Sequence, residues 1–442
     1  MKIIYAIVMI LSLAILSSCS EVPSDVKSRA ENSSVTENLE SKPDSDLVFD
    51  TVENVTKNAA SVLGNKYQNI VLPESIDVEE VSEAYLLRAV RNSETADVNK
   101  MLNDFTSVYI GEEPTGIHPY GVDPPERFLE AIKANGGDVD EFLKEWSEEH
   151  QGADFYDGFK DMKPLVDPKY CMVADNIGKY HIEVWSGGSI FAEVYDDRII
   201  GRDARSSSYV YDPSKDNIEG ISYEVAGEEY SLSEALQCAE AFMDNTLRPF
   251  LESDDDVKTG NIYVFEERLP DTNELAGYYY AVEFHHIIGG LAVSTAGSGQ
   301  SRNDHMVGSS MYLVTDIPGV ITEVSVSCCP CVLDKQPLDK LITLESALAH
   351  VEKELAPYEV YNIERVTLEY CAKEKALSQI GDNPEFEYHP MWCLTVSESE
   401  QCGITPPLQK TVLYVDAVNG EVMLWDDTQH QMVFDQNSIK IP

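Results

Sequence analysis

The apolar and polar positions of this chain change period in the same order twice. The runs Ser231–Glu240 (SLSEALQCAE) and Thr343–Glu352 (TLESALAHVE) align without gaps. Leu232, Ala235, Leu236 and Ala239 in the first run keep the i, i+3, i+4, i+7 spacing that gathers side chains on one helix face, as do Leu344, Ala347, Leu348, Val351 and Leu355 in the second. Each opens on a hydroxyl residue suited to cap a helix. Ser231 with Glu234 makes a capping-box pattern, whereas Ser346 stands at that place in the second run and leaves a simple cap. The pattern then turns strand-like: Asn261–Phe265 and Tyr278–Phe284 in one copy, Arg365–Tyr370 and Met391–Val396 in the other. A third strand follows in each, ending in Asp316-Ile-Pro-Gly319 or Asp416-Ala-Val-Asn-Gly420. Aspartate bonds its own downstream backbone and glycine supplies positive φ, so both read as tight turns into a last strand. The repeated unit is a helix laid on an antiparallel sheet.

Residues 47–215 are less regular. Helical spacing recurs over Pro125–Lys133 and Asp138–Trp146, with proline or acidic starts as a first turn prefers. Strand-like runs at Glu83–Val90, Tyr170–Val173, Lys179–Trp185 and Ser189–Tyr195 include a meander punctuated by Gly178 and Gly187-Gly188. The fold class expected is α+β: an N-terminal α+β domain (47–215), readable as a diverged copy of the same unit, then tandem helix-on-antiparallel-sheet units at 216–335 and 336–430, and a tail at 431–442.

Ahead of these lie two segments of another kind. A cationic start with Lys2 precedes an apolar run from Ile3 to Leu16 that closes on Leu16-Ser-Ser-Cys19. That length fits a cleaved export signal at 1–18 and falls short of a spanning helix. The pattern resembles the lipobox of bacterial lipoproteins, which implies a diacylglyceryl group on Cys19 and location at the cell membrane, lipid-anchored on its extracytoplasmic face. Residues 19–46 are polar with almost no large apolar side chain, too few to offset chain entropy. They read as a flexible tether spanning roughly 30 Å for a coil of that length.

The formal net charge is -46, from 78 acidic against 32 basic side chains. Such a surface repels nucleic acid and anionic lipid head groups. Nucleic acid is therefore excluded as a partner, and attachment to the membrane falls to the lipid anchor, for which two acyl chains suffice.

The ending Tyr414-Val-Asp-Ala-Val-Asn-Gly-Glu-Val422 resembles that of the PepSY-type module, typically VDA-x-(T/N)-G-(E/K)-(I/V). The paired arrangement over about 215–427, with Phe284-His-His-Ile-Ile-Gly-Gly-Leu-Ala-Val293 where relatives often carry R-x-x-(N/D)-G-I-P-V, resembles the YycH/YycI-like extracytoplasmic regulators. It is similar also to uncharacterised Gram-positive lipoproteins of the same layout. The sequence departs from the pattern at Gly290-Leu-Ala and at Ile317-Pro318. The resemblance implies PepSY/cystatin-like units and a non-catalytic binding or regulatory role toward another envelope protein or peptide.

Candidate chemistry is sparse. Eight cysteines besides Cys19 (Cys171, Cys238, Cys328, Cys329, Cys331, Cys371, Cys393, Cys402) admit up to 105 pairings if all are oxidised. Cys393 and Cys402 flank one predicted hairpin connection and form the candidate disulfide. Cys328, Cys329 and Cys331 are the candidate soft-metal or redox cluster. A catalytic dithiol usually opens a helix, however, and this cluster ends a Val/Ser-rich strand, so no metal, cofactor or catalytic residue is expected. His285 and His286, adjacent on a strand, point to opposite faces. His150 lacks the second helical histidine of a zinc protease, and His389 at a strand start reads as structural. Ser298 lacks the glycine two residues earlier that a nucleophile elbow needs. Asp254–Asp256 lacks calcium-loop spacing. Tyr278–Tyr280, Trp392 and Trp425 read as core, and Asp416 as a turn-former. Two alternatives stand beside the binding module: an exported thiol redox enzyme or hydrolase using the Cys328–Cys331 cluster, and a passive envelope spacer.

Overall fold

The computed structural model describes residues 47–433 except 91, 123–124, 135–136, 151–153, 160–161, 200–207, 252–255, 270–271, 295–308, 328–329, 355–359, 375–384, 398–410 and 427–430. The segments read as leader and tether, with Cys19, lie outside the described residues. Among those described, no helix is long and apolar enough to cross a membrane.

The chain divides into two compact units, one holding Gly121–Leu165 and the other Pro43–Tyr120 with Val166 onward. The smaller contains the two expected helices, here called α3 (Pro125–Ala134) and α4 (Val139–Glu149). Asp138 caps α4, its carboxylate accepting from Asp140 N at 2.9 Å and Glu141 N at 3.2 Å. Phe155 gathers the aromatics of this unit, 5.0 Å from Phe159 and 5.3 Å edge-on to Trp146.

In the larger unit the hairpin β9 (Ser222–Val225) and β10 (Glu228–Ser231) leads directly into α5 (Leu232–Phe242). The capping box of Ser231 and Glu234 forms as the sequence predicts. The strands β11 (Asp256–Arg268), β12 (Leu275–Ile288), β14 (Ser310–Thr315) and β15 (Glu323–Ser327) then pair as an antiparallel meander, with β13 (Leu291–Ala292) folded back on β12. The second half keeps this order. The strand β17 (Lys340–Ile342) runs into α6 (Leu344–Glu354), whose N-terminus is capped by Thr343 Oγ1, accepting from Ser346 N at 3.3 Å. β18 (Tyr361–Glu374), β19 (Glu385–Ser397), β20 (Thr411–Asp416) and β21 (Val422–Asp426) follow as a second meander.

The N-terminal meander is a third element of this kind. The helix α2 (Val98–Tyr109), capped by Asp97, precedes β4 (His118–Pro119), β5 (Cys171–Asn176), β6 (Tyr180–Trp185) and β7 (Ile190–Val194). β7 pairs with β15, so the N-terminal and first repeated meanders form one sheet ordered β4-β5-β6-β7-β15-β14-β12-β11-β8, β8 being Tyr209–Tyr211. The boundary expected near 215 therefore separates no independent bodies. Backbone pairing and a single core joining Leu102, Phe105, Ile182, Leu232, Ala235 and Val282 run across it.

The other sheet is built on the second repeat. β19 offers one edge to β18, and its other edge is shared by β3 (Tyr85–Val90) along 385–388 and by β20 along 391–396. Pro390, which has no N–H to donate, sits where the edge changes partner. β16 (Cys331–Pro337) pairs with β3, so residues expected to close the first repeat contribute to the second sheet, as does β2 (Ile70–Val71) beside β18. β22 (Gln431–Val433) adds to β21, so the expected tail starts as a strand. β1 (Phe49–Thr51), ahead of α1 (Val52–Lys57), pairs with β17 and occupies the place that β9 takes beside β10. Val52, Val55, Leu344, Leu348, Val366, Leu368, Trp392 and Leu394 make the core beneath.

Candidate functional site

Strand alternation puts Ile182, Val184 and Ile190 under the helices and turns His181, Glu183 and Phe191 to the other face of the ten-stranded sheet. Polar groups collect on that face. Asp175 on β5 is buried, its Oδ2 2.9 Å from His118 Nε2 and its Oδ1 2.6 Å from His181 Nδ1; His181 Nε2 lies 3.0 Å from Glu183 Oε1. His118 Nδ1 sits 3.1 Å from the Pro119 carbonyl. Burial alone would lower the His181 pKa, but its hydrogen bonds to the two carboxylates outweigh that and raise it to about 9. Pairing continues the row sideways, Asp175 opposite His181, His181 opposite Glu193 and Glu193 opposite Glu323.

A similar arrangement recurs in the first repeat. Glu283 on β12 is buried, and its carboxylate accepts from Tyr263 Oη (3.1 Å) and Asn261 Nδ2 (3.1 Å) on β11 and from Tyr312 Oη (3.3 Å) on β14. Burial and the neighbouring carboxylate push the Tyr263 phenol up to about 12 and raise that of Tyr312 as well. In both places a carboxylate on the second strand of a meander draws donors from the strands on either side. Every ring nitrogen of His118 and His181 already faces an oxygen of the protein. Each cluster ties neighbouring strands together, and among the described residues no group of three His, Cys, Asp or Glu is arranged to hold a metal ion.

The residues singled out from sequence are dispersed. Cys19, Cys328, Cys329, Cys402, Asp254 and Ser298 lie outside the described residues. Cys331 is buried at the start of β16. Cys393 meets Cys371, Sγ to Sγ 3.8 Å, inside a buried cluster with Met391 and Tyr414. Burial, then contact with Cys371, pushes the Cys393 thiol up, the reverse of what a nucleophilic or redox thiol needs. His286 is buried; His285 is half-buried, 3.8 Å from Glu283. His389 Nδ1 lies 2.9 Å from buried Asp416, whose Oδ1 accepts from Val418 N at 2.8 Å in the expected turn. Tyr279, Tyr280 and Trp392 are core. His118, Asp175 and His181 went unmarked in the sequence; the signal for one of them was the alternation His181-Ile-Glu183, a polar face too rich in titratable groups for a bare solvent side.

The outer border of the ten-stranded sheet is different in kind. β8 pairs with β11 through three residues, and Tyr209 and Val210 are 47% and 50% exposed. Tyr209 lies 5.6 Å from Tyr223, which packs 4.9 Å from Tyr278 and 6.1 Å from Tyr280; Tyr211 and Tyr223 share a hydroxyl contact of 2.6 Å. On the opposite face Val210 stands opposite Tyr263, near the Phe265–Tyr279 stack at 5.0 Å. Among the described residues no strand pairs with the outer edge of β8, and aromatics border it on both faces.

No family model matches the sequence, and no curated protein matches it. A solved structure does resemble the fold: an uncharacterized protein from Eubacterium rectale ATCC 33656, whose crystal structure was determined at 1.45 Å resolution. It superposes with a TM-score of 0.50 at 12% identity, over 83% of this chain and 97% of the other. The likeness concerns the fold alone, a mixed α+β architecture that is mostly sheet.

Proposed function

We propose that this chain is a lipid-anchored extracytoplasmic binding module made of PepSY-like units, which recruits another envelope protein or peptide by adding a strand to an open sheet border. The observation that carries the reading is β8, a short strand with exposed apolar side chains whose outer edge meets no other strand among the described residues. The leader and Cys19 support the location. A second observation supports the unit assignment. Tyr280 Oη donates to the carbonyl of Tyr230 at 2.6 Å, and Trp392 Nε1 donates to that of Ile342 at 2.9 Å. Each acceptor lies immediately before a helix cap, and each donor stands on the second strand after that helix, so the copies share an internal clamp as well as an element order.

Two measurements test the reading. Metabolic labelling with a fatty acid should mark the wild-type chain in the membrane fraction and not Cys19→Ser. The mature chain used as bait on solubilised membranes should enrich a defined partner. Label on the serine variant would remove the anchor from the reading, and failure to enrich any partner would remove binding.

A further inference from the structure

Resting on the binding role just described, the geometry points to a specific occupant of the β8 border: an extended segment with a short apolar or aromatic centre, presenting such side chains to both faces, flanked by lysine or arginine. Three features combine. The first is the contrast between borders. β16, which ends the other sheet, exposes Asp334, Lys335 and Pro337 beside Leu333, and such charges and proline discourage a further strand, whereas β8 exposes Tyr209 and Val210.

The second is the two-sided lining. A strand laid along β8 would alternate its side chains between the Tyr209–Tyr223 face and the face of Val210 and the Phe265–Tyr279 stack. Both call for apolar or aromatic side chains, and the rims of each are where charged ends would emerge. The third is charge. Glu224, Glu228 and Glu229 are exposed on the adjoining hairpin, Glu266 on β11 is matched locally by Arg268, and the whole chain stands at -46. A lysine- or arginine-bearing segment gains from this field in encounter rate and orientation, and an acidic one is repelled.

The test uses the mature chain and synthetic peptides. The probe is a ten-residue peptide with four central valines and tyrosines flanked on each side by lysines. Its controls replace every lysine by glutamate, or place proline at two central positions so that no strand can form. By fluorescence anisotropy the lysine-flanked peptide should bind at least tenfold more tightly than either control and weaken as salt rises from 50 to 300 mM. Val210→Lys should weaken it tenfold or more, and Val210→Pro likewise by removing a border N–H; circular dichroism establishes that each variant is folded, and the lysine variant decides if the proline variant is not. Equal binding of the proline-interrupted peptide, or indifference to Val210→Lys, would overturn the site, as would absence of binding at 50 mM salt. A partner captured from membranes that binds Val210→Lys as well as wild type would leave the binding role intact and remove this border from it.

Discussion

Asp175 shows how much a single side chain can organise in this protein. Its two oxygens take one ring from β4 and one from β6, so the carboxylate ties together three strands, the first two of which come from segments more than 50 residues apart. Removing the charge leaves the buried His118 ring and the partly buried His181 ring facing an amide; Asp175→Asn is expected to lose about 3 kcal/mol or more, read by urea denaturation. His181 gives the sign of the pH dependence. Its folded pKa of about 9 lies above the unfolded value near 6.5, so its contribution is complete below about pH 6.5 and disappears as pH rises through 9. That contribution is on the order of 3 kcal/mol at most. The melting temperature of the wild type should therefore fall between pH 7 and 10 more steeply than that of His181→Gln; parallel curves would contradict the assignment.

At the scale of elements, the two repeats solve the same problem with different chemistry. A helix that starts directly after a strand must have its first turn held over the sheet, and an aromatic from the second strand does this in both copies. Tyr280→Phe deletes only the hydroxyl and leaves the Tyr230 carbonyl without that donor, which should cost about 1–2 kcal/mol. Trp392→Phe also opens a cavity in a fully buried site and should cost about 2–4 kcal/mol. Equal losses would mean that the hydrogen bond, not the volume, sets both. The β9–β10 turn offers a gain instead. Ala226 and Gly227 have φ of 49° and 80°, and an alanine there is strained where asparagine is tolerated. Ala226→Asn should raise stability by up to about 1 kcal/mol in thermal melts. These turns and helix starts were legible: the Ser231–Glu234 box, the Asp416 turn and the strands of each meander lie where period and turn residues put them. Local bonding between near neighbours is what a sequence pattern encodes.

For the whole molecule, pairing rather than chain order decides which segments belong together. The segment 121–165 is a unit of its own set between β4 and β5, which are paired neighbours with Pro119 opposite Met172. Its two ends are thus already close, and replacing Gly121–Leu165 by a short glycine-serine linker should leave the rest folding cooperatively, with near-ultraviolet circular dichroism and a single melting transition retained. Loss of cooperativity would show that the sheet depends on the inserted helices.

From the sequence alone came the repeated helix-and-meander order, the α+β class and the acidic balance, because each rests on short-range periodicity or on a count. The joining of β7 to β15, the sharing of β19 between β3 and β20, the pairing of β1 with β17 and the Asp175 staple were decided only in the tertiary structure. In each, two segments distant in sequence satisfy backbone or side-chain groups that neither can satisfy locally, and no pattern within one segment specifies its partner.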